Sequence, residues 1–211
     1  MPRRSVSAAY LTQAADLAGN PAQQAAYDST GHCVVLAGPG SGKTKTLVLK
    51  LARIMAEDVR APRGAACITY SQECARELTR RLEMLGLREA PNLFIGTVHG
   101  FCLRHLLMPY GRLAGLPLPF PLNVATQRQA DRLLKQVGDR RFGVGHPNKP
   151  IDLGRHRRSV LDRSSASWTN EPDLAIWIED YEAALRRAGL VDFDDLVVFG
   201  QRLVDEHDWV L

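Results

Sequence analysis

The spacing of apolar positions changes several times along the chain, and each change marks an element. From Leu11 to Ala26 the sequence is alanine-rich and helix-prone, broken at Gly19-Asn20-Pro21. Asn20 followed by Pro21 fits an N-cap with proline at the first helical position. Val34-Val35-Leu36-Ala37 is a continuous apolar run of the length of a short buried strand. Thr46 to Glu57 places Leu47, Leu49, Leu51, Ile54 and Met55 as a helix packed well into a sheet would. Ala65 to Tyr70 reads as a second buried strand. Glu73 to Leu85 reads as a helix with Cys74, Leu78, Leu82 and Leu85 on one face and Arg76, Glu77, Arg80 and Arg81 off it. Leu93-Phe94-Ile95 makes a third strand, followed by a helix from about Phe101 to Met108. Strands alternating with helices predict an α/β fold with a parallel sheet and right-handed crossovers.

The second half has a different texture. Leu113 to Leu122, with Pro117, Pro119 and Pro121, reads as a linker. Thr126 to Val137 predicts an amphipathic helix. Gly138 to Ser167 is basic and loop-like, with Arg140, Arg141, Lys149, Arg155, His156, Arg157, Arg158 and Arg163, either a solvated surface or a set of phosphate contacts. Glu171 to Ala188 returns to helix, with Ile176, Trp177, Tyr181, Ala184 and Leu185 on one face and Trp177 in the core. Asp192, Asp194 and Asp195 put three carboxylates in four positions. That spacing admits a metal site, but a helix N-terminus, where aspartate caps N–H groups and meets the positive end of the dipole, is the preferred reading.

Bulk properties narrow the class. The 211 residues are 45% hydrophobic, enough for a core and for one domain or one and a half. No apolar run approaches the length of a membrane span, so no membrane partner is expected. The twin arginine Arg3-Arg4 has no apolar stretch behind it, which argues against an export signal. Cys33, Cys67, Cys74 and Cys102 show no C-x-x-C spacing and read as small core residues of a reduced, cytoplasmic protein. A formal net charge of +4 permits a polyanionic partner without requiring one. No internal repeat stands out.

The chemistry concentrates between Ala37 and Thr46. An apolar strand, a glycine-rich turn and a helix opening on Lys43-Thr44 would point several backbone N–H groups inward, a nest suited to a triphosphate. Gly38, Pro39, Gly40, Ser41 and Gly42 form the turn, and side chains at its glycines would obstruct it. Lys43 would supply a cation for the β- and γ-phosphates, the Thr44 hydroxyl would ligate Mg²⁺, and Lys45 and Thr46 complete the first helical turn. The general pattern begins with glycine where this chain has Ala37. Gln23, just ahead of the first strand, is either an adenine-reading amide or a solvated helix residue. Ligands of parallel sheets gather at the carboxyl ends of the strands, so Ala37 to Thr44, Thr69 to Glu73 and Thr97 to Phe101 are expected on one edge.

Taken in order, these segments resemble the amino-terminal part of the UvrD/Rep helicases, superfamily 1 DNA translocases that move 3′ to 5′. Asn20-Pro21-Ala22-Gln23 is similar to that family's adenine-reading segment, and Ala37 to Thr44 to its phosphate loop, which does begin with alanine. Ile68-Thr69-Tyr70-Ser71-Gln72-Glu73-Cys74-Ala75-Arg76-Glu77-Leu78 resembles its first single-strand-binding motif, with Gln72 and Glu73 where Asn and Lys are more usual. Gly96-Thr97-Val98-His99-Gly100-Phe101-Cys102 resembles its G-T-x-H-S-F segment, and Val191 to Val197 its D-F-D-D-L segment. The resemblance implies an incomplete P-loop NTPase (RecA-like) sheet in residues 1–108, a mostly helical insertion in 109–189 and a return to the RecA-like domain in 190–211. It implies ATP and Mg²⁺ as ligands, Lys43 and Thr44 as catalytic residues, and Gln23 and Ala37 through Thr46 around the nucleotide. It also implies contacts to single-stranded or partly duplex DNA from Thr69, Tyr70, Ser71, Gln72, Thr97, Val98, His99 and Phe101.

The family's next element is a hydrophobic strand ending in D-E-x-x-D, whose acidic pair holds Mg²⁺ and activates water. Leu203-Val204-Asp205-Glu206-His207-Asp208 imitates it, but Gly200-Gln201-Arg202 supplies no buried strand, so the stretch is expected to be the acidic end of a helix. The expected function is the ATP- and DNA-binding portion of a repair or recombination helicase, able to hold nucleotide but not to unwind without the carboxy-terminal helicase domains. A stand-alone nucleotide- or DNA-binding module is the alternative. An unrelated kinase sharing only the phosphate loop would have no need of the Tyr70 and His99 segments.

Overall fold

Asn20 and Pro21 act as their chemistry dictates: the Asn20 side chain accepts from the Gln23 N–H at 3.2 Å, and a helix opens on the proline. The computed structural model describes residues 7–60, 62–87, 90–145 and 150–210. The Arg3-Arg4 pair and Lys149 lie outside the described residues. The chain forms two compact units, Met1–Val98 and His99–Leu211.

The first unit contains α1 (Ala8–Ala15), α2 (Pro21–Asp28), α3 (Lys43–Glu57), β1 (Ala65–Thr69), α4 (Gln72–Met84) and β2 (Leu93–Thr97). β1 and β2 pair in parallel with Ala65 opposite Leu93 and Thr69 opposite Thr97, so both strands deliver their carboxyl ends to the same edge. Leu17, Leu49, Ala52, Leu78 and Leu82 are the centre of its core. Ser71 caps α4, its Oγ accepting from the Cys74 N–H at 3.2 Å.

Val34 to Ala37 is not a strand: Val34 and Leu36 are 87% and 92% exposed, and no neighbouring strand bonds the run. Apolar sequence alone cannot make a strand, because the backbone groups need a partner ladder. The helical face of α4 is shifted too. Ala75, Leu78, Leu82 and Leu85 are buried whereas Cys74, in the capped first turn, is exposed. Cys33 is exposed as well, so only Cys67 and Cys102 are core cysteines.

The second unit is helical. A short helix α5 (Val98–Phe101), earlier than expected, leads into a π-helical stretch, Cys102–Gly111, whose widened turns accommodate Pro109. Then follow α6 (Gln127–Phe142), α7 (Pro150–Ser159), α8 (Ala166–Thr169), α9 (Pro172–Arg187) and α10 (Phe193–Glu206). Cys102, Leu107, Leu196 and Leu203 share one core cluster; Leu134, Val137, Trp168, Trp177 and Leu185 share another. Leu203 to Glu206 is helix, as expected, and Arg202 holds Glu206 at 3.1 Å.

The loop expected from Gly138 to Ser167 is largely helix instead. Gly138 continues α6 because a side chain there would meet the buried Trp177 ring 2.5 Å away, and its presence marks a close approach rather than a helix end. Several basic residues of this stretch are engaged in ion pairs, while Arg140 and Arg155 are exposed. Arg157 is buried, Arg158 pairs with Asp194, Arg163 with Glu182 and Arg141 with Asp180.

Gly138→Ala tests that packing. Overpacking a core costs about 1–3 kcal/mol, more than the roughly 1 kcal/mol alanine gains over glycine as a helix former. Trp168, Trp177 and Trp209 all lie in the second unit. Urea unfolding followed by tryptophan fluorescence should therefore show a lower midpoint; an unchanged midpoint would mean the ring moves aside freely.

Candidate functional site

The glycine-rich loop before α3 takes its shape from two glycines. Gly40 has φ 75° and Gly42 φ 81°, left-handed conformations that side chains resist. Gly42 is the N-cap of α3 and offers no side chain to the first turn, so the N–H groups there remain directed at the loop. Ser41 ties the turn together through its Oγ, which donates to the Gly38 carbonyl at 2.7 Å. Lys43 Nζ donates to the carbonyls of Ala37 and Gly38, both at 2.7 Å, and so sits across the mouth of the loop. Gln23 reaches the same loop from α2, its Nε2 donating to the Ser41 carbonyl at 2.8 Å.

Gln23 and the segment Ala37, Gly38, Pro39, Gly40, Ser41, Gly42, Lys43 and Thr44 are thereby brought together. Two predicted neighbours turn elsewhere. Lys45 Nζ faces Asp16 at 3.4 Å, and buried Thr46 bonds back to the Gly42 carbonyl through both its N–H and its hydroxyl. Their side chains do not line the loop. An uncapped helix start, a glycine nest and a mobile ammonium suit a polyphosphate, and the Thr44 hydroxyl in the first turn suits a magnesium ion bound to it.

At the sheet edge, the Thr69 hydroxyl donates to the Ser71 carbonyl at 2.9 Å, fixing the turn that presents Tyr70. Tyr70 is 102% exposed, an aromatic ring offered wholly to solvent. Gln72 beside it is exposed, and Ser71 is spent on capping α4. Thr97 is the register partner of Thr69, with exposed Val98 following it. Glu73 carries a carboxyl held below the ordinary glutamate range by its own N–H and the Ser71 hydroxyl.

In the second unit His99 lies edge-on to Phe193, ring centroids 5.4 Å apart at 77°, and Phe101 stacks on His105 at 5.4 Å. Phe193 is 52% exposed. Its helical spacing to Leu196 and Leu203 hides it among core positions in the sequence. Only its place at the very start of α10 leaves the ring uncovered.

Asp192 and Asp195 form a reciprocal capping box at that helix start, each carboxylate accepting the other's N–H at 2.8 and 3.0 Å. Arg157 lies over both, donating at 2.7 Å to Asp192 Oδ2 and to Asp195 Oδ1, and at 3.0 Å to Glu182. Burial works against its charge, but Asp192, Asp195 and Glu182 outweigh that and hold its pKa above the ordinary value. Burial also opposes the Asp192 carboxylate, and Arg157 with the Tyr181 hydroxyl reverses the effect, keeping Asp192 below the usual aspartate range. These carboxylates cap α10 and pair with guanidiniums; among the described residues no group of three His, Cys, Asp or Glu is placed to hold a metal ion. Nor is any described helix long and apolar enough to cross a membrane.

Comparison with known proteins places these features in a context. Residues 19–211 match the UvrD/REP helicase N-terminal domain family. The chain is similar to the ATP-dependent DNA helicase Rep of Escherichia coli, 31% identical over 200 residues, covering 90% of this chain and 29% of Rep. To the ATP-dependent DNA helicase PcrA of Bacillus subtilis it is 30% identical, covering 91% of this chain and 27% of PcrA. To DNA helicase II of Escherichia coli it is 29% identical, covering 81% and 24% respectively. The chain therefore spans less than a third of the length of these relatives.

Gly42→Ala isolates the contribution of the loop. The new Cβ would lie 2.5 Å from Gln23 Nε2, and a left-handed residue other than glycine costs about 1–2 kcal/mol. About a tenfold loss of affinity for a fluorescent ATP analogue is expected, with an unchanged far-ultraviolet dichroism spectrum. Wild-type affinity would show that the loop does not need this geometry.

Proposed function

Because this chain belongs to the UvrD/REP helicase N-terminal domain family, we propose that it is the ATP- and single-stranded-DNA-binding portion of an ATP-dependent 3′-to-5′ DNA helicase serving repair or recombination. The observation that carries the reading is Lys43 poised at 2.7 Å on the carbonyls of its own glycine loop, with Gln23 locked onto the same loop. In this reading residues 1–108 belong to a RecA-like P-loop domain, 109–189 to a helical insertion and 190–211 to the return.

Lys43 would exchange its two neutral carbonyls for phosphate oxygens, the N–H groups of the first turn of α3 would help hold the phosphates, and Thr44 would hold Mg²⁺, which would neutralise phosphate charge. Gln23 turns its amide to the adenine edge. Tyr70, Thr97, Val98, His99 and Phe101 face DNA, together with Thr69, Ser71 and Gln72, and Phe193 joins His99 as a stacking surface. Aromatic faces and backbone contacts suit a motor that must step along any sequence.

The exposed run Val34 to Leu36 supports the same reading. Beside it a groove of about 830 Å³ is lined by Val35, Leu47, Leu51, Ile54, Cys67 and Leu78. Strand backbone groups need ladder partners, and a further strand beside β1 would occupy such a groove and extend the sheet. Asp205 and Glu206 end α10 and provide no strand-borne acidic pair. Phosphoryl transfer rests on positioning and charge neutralisation from many groups at once. This chain therefore holds nucleotide, turns it over slowly and does not unwind DNA by itself.

Lys43→Ala should reduce labelled-ATP binding by this chain below detection; unchanged affinity would sink the phosphate-loop assignment. Binding of a labelled oligothymidylate should be weak and should fall steeply between low and moderate salt, as counterion release requires. Tight, salt-independent binding would contradict the electrostatic account.

A further inference from the structure

Phe193 presents a half-exposed ring from the first residue of α10, and the helix start that carries it is held by ion pairs. The residue before it, Asp192, is gripped by Arg157 at 2.7 Å and by the Tyr181 hydroxyl at 2.8 Å. Among those that follow, Asp194 pairs with Arg158, and Asp195 takes Arg157 and Arg186, each at 2.7 Å, on a single oxygen. Every carboxylate around Phe193 is thus held by a guanidinium, and Arg157 alone reaches both ends of the capping box. It comes from α7, which approaches so closely that a Cβ on Gly154 would lie 2.9 Å from Asp194 Oδ2. Arg157 itself is only 4% exposed, and it belongs to a run of basic residues that composition would assign to the surface.

We propose that Arg157 is a positioning residue for DNA binding: by clamping Asp192 and Asp195 it sets the first turn of α10, and with it the angle at which Phe193 stands against His99. The inference rests on the reading of His99 and Phe193 as a DNA-facing pair. Arg157 is buried under the capping box and touches no DNA. Its three-way fork to Asp192, Asp195 and Glu182 is one that a lysine ammonium, a point charge on a flexible stem, cannot reproduce. Its effect on DNA therefore runs through geometry and not through its charge.

A double-mutant cycle separates these possibilities, using anisotropy of a labelled oligothymidylate at low salt, with urea midpoints measured on each variant. Phe193→Ala should weaken binding about tenfold, within the range for loss of one base–aromatic stack. Arg157→Gln and Arg157→Lys should each weaken it by about three- to tenfold, and neither should weaken it further in the Phe193→Ala background. Asp195→Asn, which keeps the shape and removes the charge gripped by Arg157, should follow the same pattern and serves if the Arg157 variants do not fold. Wild-type binding by Arg157→Lys would make the effect one of charge and overturn the proposal. So would a full additional loss on top of Phe193→Ala, which would leave the DNA-facing pair intact. Wild-type binding by Phe193→Ala would remove the DNA-facing reading itself, and the positioning role with it.

Discussion

A guanidinium taken out of water carries a penalty of several kcal/mol unless acceptors surround it. Arg157 meets that condition only when α7, α9 and the start of α10 are all in place, since its partners Glu182, Asp192 and Asp195 come from the last two of these segments. Four guanidiniums (Arg157, Arg158, Arg163 and Arg186) face four carboxylates (Glu182, Asp192, Asp194 and Asp195), so the cluster is balanced in charge. Such a cluster need not stabilise more than apolar residues of equal volume would. Breaking it is another matter, because one charge left unpaired costs about 3–5 kcal/mol. Loss of any one partner of Arg157 is therefore costly to the packing of α7, α9 and the start of α10.

The first unit is organised by backbone chemistry. Two parallel strands give the edge on which Thr69 and Thr97 end, while the phosphate loop is held without strand pairing. Its anchors are the start of α3, the amide of Gln23 on Ser41, and Lys50, whose Nζ donates to the carbonyls of Ala26 and Ser29 at 2.8 and 2.7 Å. Lys50 thereby fixes the segment that leads from α2 into the loop. The apolar residues between these anchors stay exposed, and the loop keeps its shape all the same. Helix termini and a few side-chain bonds are sufficient for that.

Local signals were legible in the sequence wherever a residue acts on its own neighbours. Asn20-Pro21 marked a helix start, Asp192 and Asp195 a capped one, and the glycines before Lys43 a left-handed turn opening a helix. Apolar spacing located β1, β2, α3, α4, α6 and α9. Signals that depend on distant partners were not legible. Val34 to Ala37 has the composition of a strand and lacks a ladder. Gly138 looks like a helix breaker until the Trp177 ring is seen against it. Arg157 is indistinguishable in sequence from Arg155, since burial is decided by residues 25 to 38 positions away. Phe193 follows the apolar period of its helix and escapes burial only through its position at the end.

If the glycine loop holds a nucleotide as proposed, its geometry explains how such a site can be ready before it is catalytic. Lys43 rests on two neutral carbonyl oxygens, which a phosphate would outcompete because it adds the attraction of opposite charges to the hydrogen bond. The exchange moves an exposed ammonium a short way and asks little of the fold. Gln23 is attached to the same loop, so a change in the loop backbone is felt at once in the residue assigned to the base. Binding is thus built from local parts: one turn, one helix end, one lysine and one amide. Hydrolysis needs a carboxylate aligned with water on the far side of the γ-phosphate, and no local pattern supplies it. Asp205 and Glu206 have the right composition, but they end a helix, one of them held by Arg202. Under the proposed reading, holding ATP would be a property of neighbours in sequence, whereas cleaving it would depend on groups that only long-range folding can bring to the loop.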